Sequence, residues 1–114
     1  MQETLVQAVQ SPSLPRAPLA GRPTRVALVG TGYIADTHLV ALREVPEVEV
    51  VALCDVDLER ARSAARRHGV PAAVQAVGEL VAQRVDVVHL CVPPDLHARL
   101  AREALELGLS VFVE

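Results

Sequence analysis

The stretch RVALVGTGYIA, residues 25–35, decides the fold that this chain is expected to adopt. Its first part, RVALVG, is apolar on both faces, as a central strand of a parallel sheet must be, because helices cover such a sheet on both sides. The second part, GTGYIA, follows the pattern GxGxxA. Gly30 permits a tight turn, Gly32 leaves room beside the backbone, and the small Ala35 lets the next helix pack closely. The stretch therefore predicts a strand, a glycine turn and a helix in direct succession.

The rest of the sequence repeats this alternation of apolar runs and helical patterns. Strands are predicted over residues 25–30, 48–55, 72–75, 86–92 and 108–114. Helices are predicted over about residues 33–44, 57–69, 78–83 and 93–108. Five parallel strands with right-handed crossovers give an α/β fold, a Rossmann-type doubly wound sheet with the strand order 3-2-1-4-5.

Length and composition favour one folded domain and exclude some classes of partner. The chain has 114 residues, 51% of them hydrophobic, and a net charge of -3, so it carries no basic footprint for nucleic acid or an anionic membrane. No apolar run reaches the roughly 18 residues of a membrane span. Residues 1–23 contain four prolines and predict a disordered proline-rich leader, which leaves residues 24–114 as the folded domain.

The two cysteines, Cys54 and Cys91, both lie inside apolar runs. This placement predicts buried thiols in a reducing compartment rather than a disulfide or a metal site, and the cytoplasm is the expected location.

The glycine turn predicts a binding site for a dinucleotide. The N-terminus of the following helix offers N–H groups and a partial positive charge to a pyrophosphate. Asp55 ends the second strand 23 residues after Gly32, close to the separation of about 20 expected for an acid that hydrogen-bonds the adenosine ribose. The carboxylates of Asp55 and Asp57 would repel the additional phosphate of NADP, so NAD is the predicted cofactor, although Arg60 keeps NADP as the less favoured alternative.

From residue 25 onward the chain resembles the N-terminal domain of the Gfo/Idh/MocA oxidoreductases. The resemblance rests on the glycine turn, on ALCD at residues 52–55, and on VPPDLHARLAREALELGLSVFVE at residues 92–114. It implies hydride transfer between a nicotinamide dinucleotide and a sugar or cyclitol CH–OH group. It also implies a small-molecule substrate bound mostly by a second domain, and a full-length protein that can form oligomers.

In that family the fourth strand ends in Thr-Pro, a histidine follows four residues after this proline, and the fifth strand ends in Glu-Lys-Pro. Pro93, His97 and Glu114 match these positions, and Val92 stands where the threonine would be. The resemblance implies that these residues lie near the nicotinamide half of the cofactor. Tyr33 either contacts the cofactor or covers the turn. Together, the predicted cofactor-binding residues are Gly30, Thr31, Gly32, Tyr33, Ile34, Asp55, Val92, Pro93, His97 and Glu114.

The lysine of the family's Glu-Lys-Pro motif provides acid-base chemistry, and this sequence contains no lysine. The sixth strand and the second domain of the family are also missing from the predicted elements. The sequence therefore predicts a truncated cofactor half-site, with no catalytic residue and no metal ligands, that does not turn over on its own. A stand-alone nucleotide-binding or sensing module and a non-functional gene remnant stay open as alternatives.

Overall fold

The computed structural model of the chain describes residues 7–9 and 21–113. The strands are β1 (Gln7–Val9), β2 (Thr24–Val29), β3 (Val48–Cys54), β4 (Ala72–Val74), β5 (Val87–Leu90) and β6 (Ser110–Val113). The α-helices are α1 (Tyr33–Arg43), α2 (Leu58–His68) and α3 (His97–Glu106), and two short 3₁₀ helices span Val77–Leu80 and Pro94–Leu96. Within the described ranges, no helix is long and apolar enough to cross a lipid bilayer.

The six strands form one sheet in the order β1-β6-β5-β2-β3-β4, in which β2 to β6 run parallel. Numbered from β2, these five strands have the order 3-2-1-4-5, which confirms the predicted doubly wound fold. Val29 pairs with Cys54 on one side and with Leu90 on the other, so β2, β3 and β5 end at the same level. The residues that follow these strands consequently meet at one edge of the sheet, which we call the carboxyl edge.

One strand of the sheet, the antiparallel β1, comes from the N-terminal region and was not predicted from the sequence. Residues 7–9, which the sequence assigns to a disordered leader, form β1 and pair antiparallel with β6, Ala8 lying opposite Phe112. The prediction of disorder is wrong for these three residues, because the first proline of the leader stands only at position 12 and the open edge of β6 offers hydrogen-bonding groups. The remainder of the predicted leader up to residue 20 lies outside the described residues.

Both faces of the sheet are covered, which explains why the central strands are apolar throughout. Val26 and Leu28 of β2 belong to one core cluster with side chains of α1 and α2. Ala27 and Val29 face the other way, into a cluster that includes Ala104 of α3. Alternate residues of β2 are thus buried on opposite faces, as expected for a central strand between two helical layers.

Local signals explain where the helices begin and end. Asp57 caps α2 by accepting a hydrogen bond from the backbone N–H of Arg60 at 3.2 Å, and Gly69 ends the helix with a φ of 68°. The helix predicted over residues 78–83 is instead the 3₁₀ turn Val77–Leu80. The helix predicted over residues 93–108 is divided, because Pro93 and Pro94 lack backbone N–H groups and a 3₁₀ turn precedes α3.

Candidate cofactor site

A cleft of about 430 Å³ lies at the carboxyl edge, where the chain leaves β2 and β5 in opposite directions. This is the switch point at which doubly wound sheets bind their ligands. The residues lining the cleft come from the ends of β2, β3, β4 and β5, from the start of α2, and from the 3₁₀ turn before α3 and α3 itself. They are Val29, Gly30, Thr31, Gly32, Cys54, Asp55, Val56, Arg60, Gln75, Ala76, Val77, Cys91, Val92, Pro93, Leu96, Arg99, Leu100 and Glu103.

Gly30 forms the base of the glycine turn and is required by the fold itself. Its φ is +97°, in the left-handed region, and a Cβ at this position would lie 2.9 Å from the backbone carbonyl carbon of Cys91. The backbone N–H of Gly30 donates to the carbonyl of Cys54 at 2.7 Å. The turn is therefore packed between the ends of β3 and β5, and only glycine fits there.

Gly32 lies at the tip of the same turn and has a different environment. Its φ is -83°, which any residue can adopt, and a Cβ added to it would meet no atom within 4 Å. Gly32 is also the N-cap residue of α1, so the unpaired N–H groups of a helix start lie beside this open space. The protein leaves room at a helix N-terminus, which is the arrangement that a phosphate group requires.

The carboxylate of Asp55 holds the glycine turn in place. Its Oδ2 accepts hydrogen bonds from the backbone N–H of Thr31 at 3.0 Å and from the Thr31 hydroxyl at 2.6 Å. Its Oδ1 accepts the backbone N–H of Asp57 at 2.9 Å. Arg60 adds an ion pair at 3.2 Å between Nη2 and Oδ2. We call these four residues, Thr31, Asp55, Asp57 and Arg60, the Asp55 network.

The Asp55 network keeps a buried carboxylate charged. Asp55 is only 5% exposed, and this burial raises its pKa. The hydrogen bonds from Thr31 and Asp57 and the nearby Arg60 guanidinium outweigh the burial, so the pKa stays below its ordinary value. The cleft accordingly has a fixed negative charge at neutral pH on the side formed by β3.

The opposite side of the cleft is formed by the turn after β5. Val92 and Pro93 line the cleft, and the Nε2 of His97 donates to the backbone carbonyl of Val92 at 2.8 Å. The histidine thus joins the first residue of α3 to the end of the preceding strand. His97 does not itself line the cleft, and a direct contact between its ring and a cofactor stays a prediction.

The structure brings together six of the ten predicted site residues as lining of one cleft: Gly30, Thr31, Gly32, Asp55, Val92 and Pro93. Tyr33 and Ile34 are 82% and 51% exposed at the start of α1, where their side chains face solvent. Glu114 lies outside the described residues. The roles assigned to these ten residues in cofactor binding stay predictions.

Both cysteines also line the cleft. Burial raises the pKa of the Cys54 thiol to about 12, so this thiol is protonated at neutral pH. Cys54 packs in the core on the α3 face of the sheet, whereas Cys91 packs against the core on the opposite face, and the two do not form a disulfide. Among the described residues, no group of three or more His, Cys, Asp or Glu side chains is placed to hold a metal ion.

Two features of the cleft were not predicted from the sequence. They are its apolar wall and the hydrogen bonds that couple Thr31 to Asp55. Val77, Leu96 and Leu100 come from the turn after β4 and from the start of α3, and they line the same cleft as Asp55. The coupling could have been inferred from the register, because the pairing of Val29 with Cys54 places the residues that follow them side by side. The wall depends on how α3 packs, which no local pattern encodes.

Comparison with known proteins gives a family match over all five parallel strands of the sheet and the helices between them. Residues 24–114 match the model of the GFO_IDH_MocA family, described as an oxidoreductase family with an NAD-binding Rossmann fold. The match begins at the first residue of β2 and includes every residue of the candidate site.

Individual relatives are dehydrogenases that are considerably longer than this chain. D-apiose dehydrogenase from Paraburkholderia graminis is 33% identical over 89 residues, which cover 77% of this chain and 24% of that protein. D-glucoside 3-dehydrogenase from Escherichia coli is 35% identical over 104 residues, which cover 87% of this chain and 29% of that protein. The chain thus spans about a quarter of the length of the curated relatives it matches.

A solved structure agrees with the fold. The WlbA dehydrogenase from Bordetella pertussis, in complex with NADH and UDP-GlcNAcA, superimposes with a TM-score of 0.72 at 29% identity. The superposition covers 79% of this chain and 28% of that protein.

Proposed function

Because the chain belongs to the Gfo/Idh/MocA oxidoreductase family, we propose that it binds a nicotinamide dinucleotide in the cleft at the carboxyl edge. We propose further that it serves as the cofactor-binding part of an enzyme that transfers a hydride to or from a CH–OH group. A sugar is the substrate class supported by relatives named D-apiose dehydrogenase and D-glucoside 3-dehydrogenase, and a cyclitol is the alternative that the family resemblance implies.

The observation that carries this proposal is the open space at Gly32. A fold that had no ligand at this position would tolerate a side chain there, yet the sequence places a glycine at a helix start beside an open cleft. The residues present fit a pyrophosphate, because the backbone can approach the phosphates closely and the helix terminus favours negative charge.

The cleft also offers complementary surfaces to the rest of a dinucleotide. Val77, Leu96 and Leu100 provide an apolar wall against which an adenine ring can pack. Val92 and Pro93 lie in the turn after β5, where the resemblance places the nicotinamide half. The negative charge of Asp55 supports NAD as the preferred form, since the additional phosphate of NADP would bring like charge to the same side.

The contribution of this chain to the reaction is binding and orientation. A bound nicotinamide supplies the hydride chemistry, and the residues of the chain hold the cofactor and exclude water from part of it. No lysine is present in the sequence, so the proton-transferring group that the family resemblance implies is not among its side chains. A small-molecule substrate is a part of the proposal that rests on the relatives. A cytoplasmic location is a further part, and it is supported by two cysteines that do not form a disulfide.

The proposal is tested by titrating the purified chain with NADH and following the nicotinamide fluorescence. We expect a saturable increase with a dissociation constant below about 1 mM, and its reversal by excess NAD. Reduced nicotinamide mononucleotide, which lacks the adenosine part, serves as the comparison ligand and is expected to bind more weakly. An unchanged fluorescence with NADH at millimolar concentration would contradict the proposal.

A further inference from the structure

The outer side of β6 is covered by a strand that lies outside the family match. β6 stands between β5, with which it runs parallel, and β1, with which it pairs antiparallel. The family match begins at residue 24, whereas β1 is Gln7–Val9. β1 is therefore not part of the matched domain, yet it occupies an edge of that domain.

The pairing that holds β1 in place is small. Its three residues pair with Val111, Phe112 and Val113, and β6 is the only strand beside β1 in the order of the described sheet. So short an edge strand is stabilised by its neighbour rather than by its own sequence. Residues 10–23 connect β1 to β2 in the same chain, and such a tether supplies the strand at an effective concentration on the order of 1 mM.

β6 is suited to pair with a second β6 strand. Its sequence SVFV contains two valines and a phenylalanine, which favour strands, and it has no charged residue, glycine or proline that would oppose pairing at an edge. An antiparallel pair centred on Phe112 places Phe112 opposite the same residue of a second copy, and Val111 opposite Val113. This self-pairing uses the same three residues of β6 that pair with β1.

The surroundings of β6 are compatible with such a pair. The half-buried Phe112 ring stacks on that of His89 with 4.4 Å between the ring centroids, so two phenylalanines that face each other would add a cross-strand aromatic contact. On the other face of the sheet, α3 packs on β5 and β6. Two copies joined through β6 would bring their α3 helices roughly 10 Å apart, a normal distance between packed helices.

We propose that the edge of β6 is a docking surface for a second copy of this chain, paired antiparallel through β6 with Phe112 at its centre, and that β1 is a removable cover of this surface. The interface is two-fold symmetric, because the same edge is used by both copies. In the intact chain the tethered β1 prevails at micromolar protein concentrations, and its displacement permits dimerisation. The inference does not rest on the proposed dinucleotide site, which is lined by residues of other elements.

The test displaces β1 from β6 and measures the molar mass by sedimentation equilibrium. The β1 variant combines Gln7→Pro with Ala8→Pro, which removes a backbone N–H that faces β6 whichever way the strand is turned, because successive N–H groups of a strand point in opposite directions. Ser11→Pro with Ser13→Pro is the matched control, since it adds two prolines outside β1. At about 100 μM, a tenth of the effective concentration of the tethered strand, we expect a dimer for the β1 variant and monomers for the control and the unmodified chain.

A cross-link identifies the residues that meet. Phe112→Cys added to the β1 variant should form a disulfide between two copies on mild oxidation, because opposite Cα atoms of an antiparallel pair are about 4.5–5.5 Å apart and a disulfide spans about 4.4–6.8 Å. Phe112→Cys alone should not, because Ala8 lies opposite this position. The β1 variant without the added cysteine controls for Cys54 and Cys91.

Each other result overturns the inference in a recognisable way. A β1 variant that is folded by circular dichroism but monomeric shows that the edge of β6 does not receive a second copy. A dimer that is not cross-linked through position 112 shows that the copies meet elsewhere. An unmodified chain that is already dimeric, or a β1 variant that no longer folds, shows that β1 is not a removable cover. NADH affinity should be equal in all of these proteins, so a failure of the proposed function is recognised separately.

Discussion

The carboxyl edge of the sheet and the opposite edge, where the parallel strands begin and which we call the amino edge, each contain a buried aspartate beside an arginine. The two aspartates serve different purposes. Asp86 precedes β5 at the amino edge, is 7% exposed, and accepts the backbone N–H of Arg25 at 2.8 Å and Nη1 of Arg22 at 3.3 Å. Its own backbone N–H donates to the carbonyl of Arg25 at 2.7 Å. Asp86 therefore joins β5 to β2 and strengthens the sheet.

Asp55 at the carboxyl edge has similar burial and similar chemistry, but its donors come from a turn instead of a strand. It positions the backbone of Thr31 between the two glycines, next to an open cleft. A buried, paired carboxylate is therefore not by itself evidence of a binding site. What distinguishes the carboxyl edge is the glycine turn, in which one glycine is required by packing and the other is not.

The largest effect is expected from changing the glycine that packing requires. Gly30→Ala places a Cβ against the carbonyl of Cys91 and forces an alanine into a φ of +97°. We expect a loss of unfolding free energy of about 3 kcal/mol or more, from backbone strain and overpacking together. Urea unfolding followed by far-ultraviolet circular dichroism measures it. Gly32→Ala is the control and should cost less than about 1 kcal/mol. Equal losses of unfolding free energy in Gly30→Ala and Gly32→Ala would contradict the conclusion that packing requires a glycine only at position 30.

A second pair of changes separates the two aspartates. In Asp55→Asn and Asp86→Asn, the new amide N–H₂ group must face donors that the carboxylate accepted. Each change should therefore lower the unfolding free energy by about 1–3 kcal/mol. Only Asp55→Asn should also weaken NADH binding, on the order of tenfold, because only that change loosens the glycine turn.

The pair is measured by urea unfolding and by NADH titration of the same samples. An Asp86→Asn protein that folds but binds NADH as weakly as Asp55→Asn would show that the two edges are not functionally distinct.

A smaller effect is expected from pH. The pKa of Asp55 in the folded chain lies below its ordinary value of 3.8, because the hydrogen bonds and Arg60 outweigh the effect of burial. A lowered pKa contributes stability that is present above the unfolded pKa and is lost as pH falls through the folded pKa. The difference in unfolding free energy between the unmodified chain and Asp55→Asn should be constant between about pH 5 and 7 and should shrink below about pH 4.

The pH dependence has a natural control in Asp36, whose pKa is also lowered, mainly by its hydrogen bond with His68 at 2.8 Å. This aspartate joins α1 to α2 on the surface, away from the cleft. Asp36→Asn should remove part of the acid sensitivity of folding while NADH binding at pH 7 stays the same. A stability difference for Asp55→Asn that grows as the pH falls would have the wrong sign.

Much of the fold could be predicted because it is encoded in local patterns. The apolar runs are long enough to identify five strands, and the GxGxxA turn identifies which of them is central. β1 could not be predicted, because Gln7–Val9 has no distinctive pattern and becomes a strand only through pairing with β6. Short edge strands depend on their neighbour more than on their own sequence.

The candidate site could be predicted only in part, for a similar reason. Gly30, Gly32, Asp55 and Pro93 lie in the turns that follow strands, and the carboxyl ends of parallel strands meet at one edge whatever the side chains do. The direction in which each side chain points is decided by packing. Asp55 turns toward Thr31 and His97 binds the carbonyl of Val92, and neither contact follows from residue type or spacing.

An NADH titration of Gly32→Asp shows directly whether the open space at Gly32 receives the pyrophosphate of the cofactor. Aspartate is a favourable N-cap residue, and a Cβ at this position meets no atom within 4 Å, so the fold should be kept, while the added charge should repel a pyrophosphate. Gly78→Asp adds the same charge at a glycine that is equally open and lies outside the cleft. We predict unchanged thermal unfolding for both variants, with NADH affinity lowered at least about tenfold in Gly32→Asp alone. NADH binding by Gly32→Asp at the affinity of the unmodified chain would contradict the account.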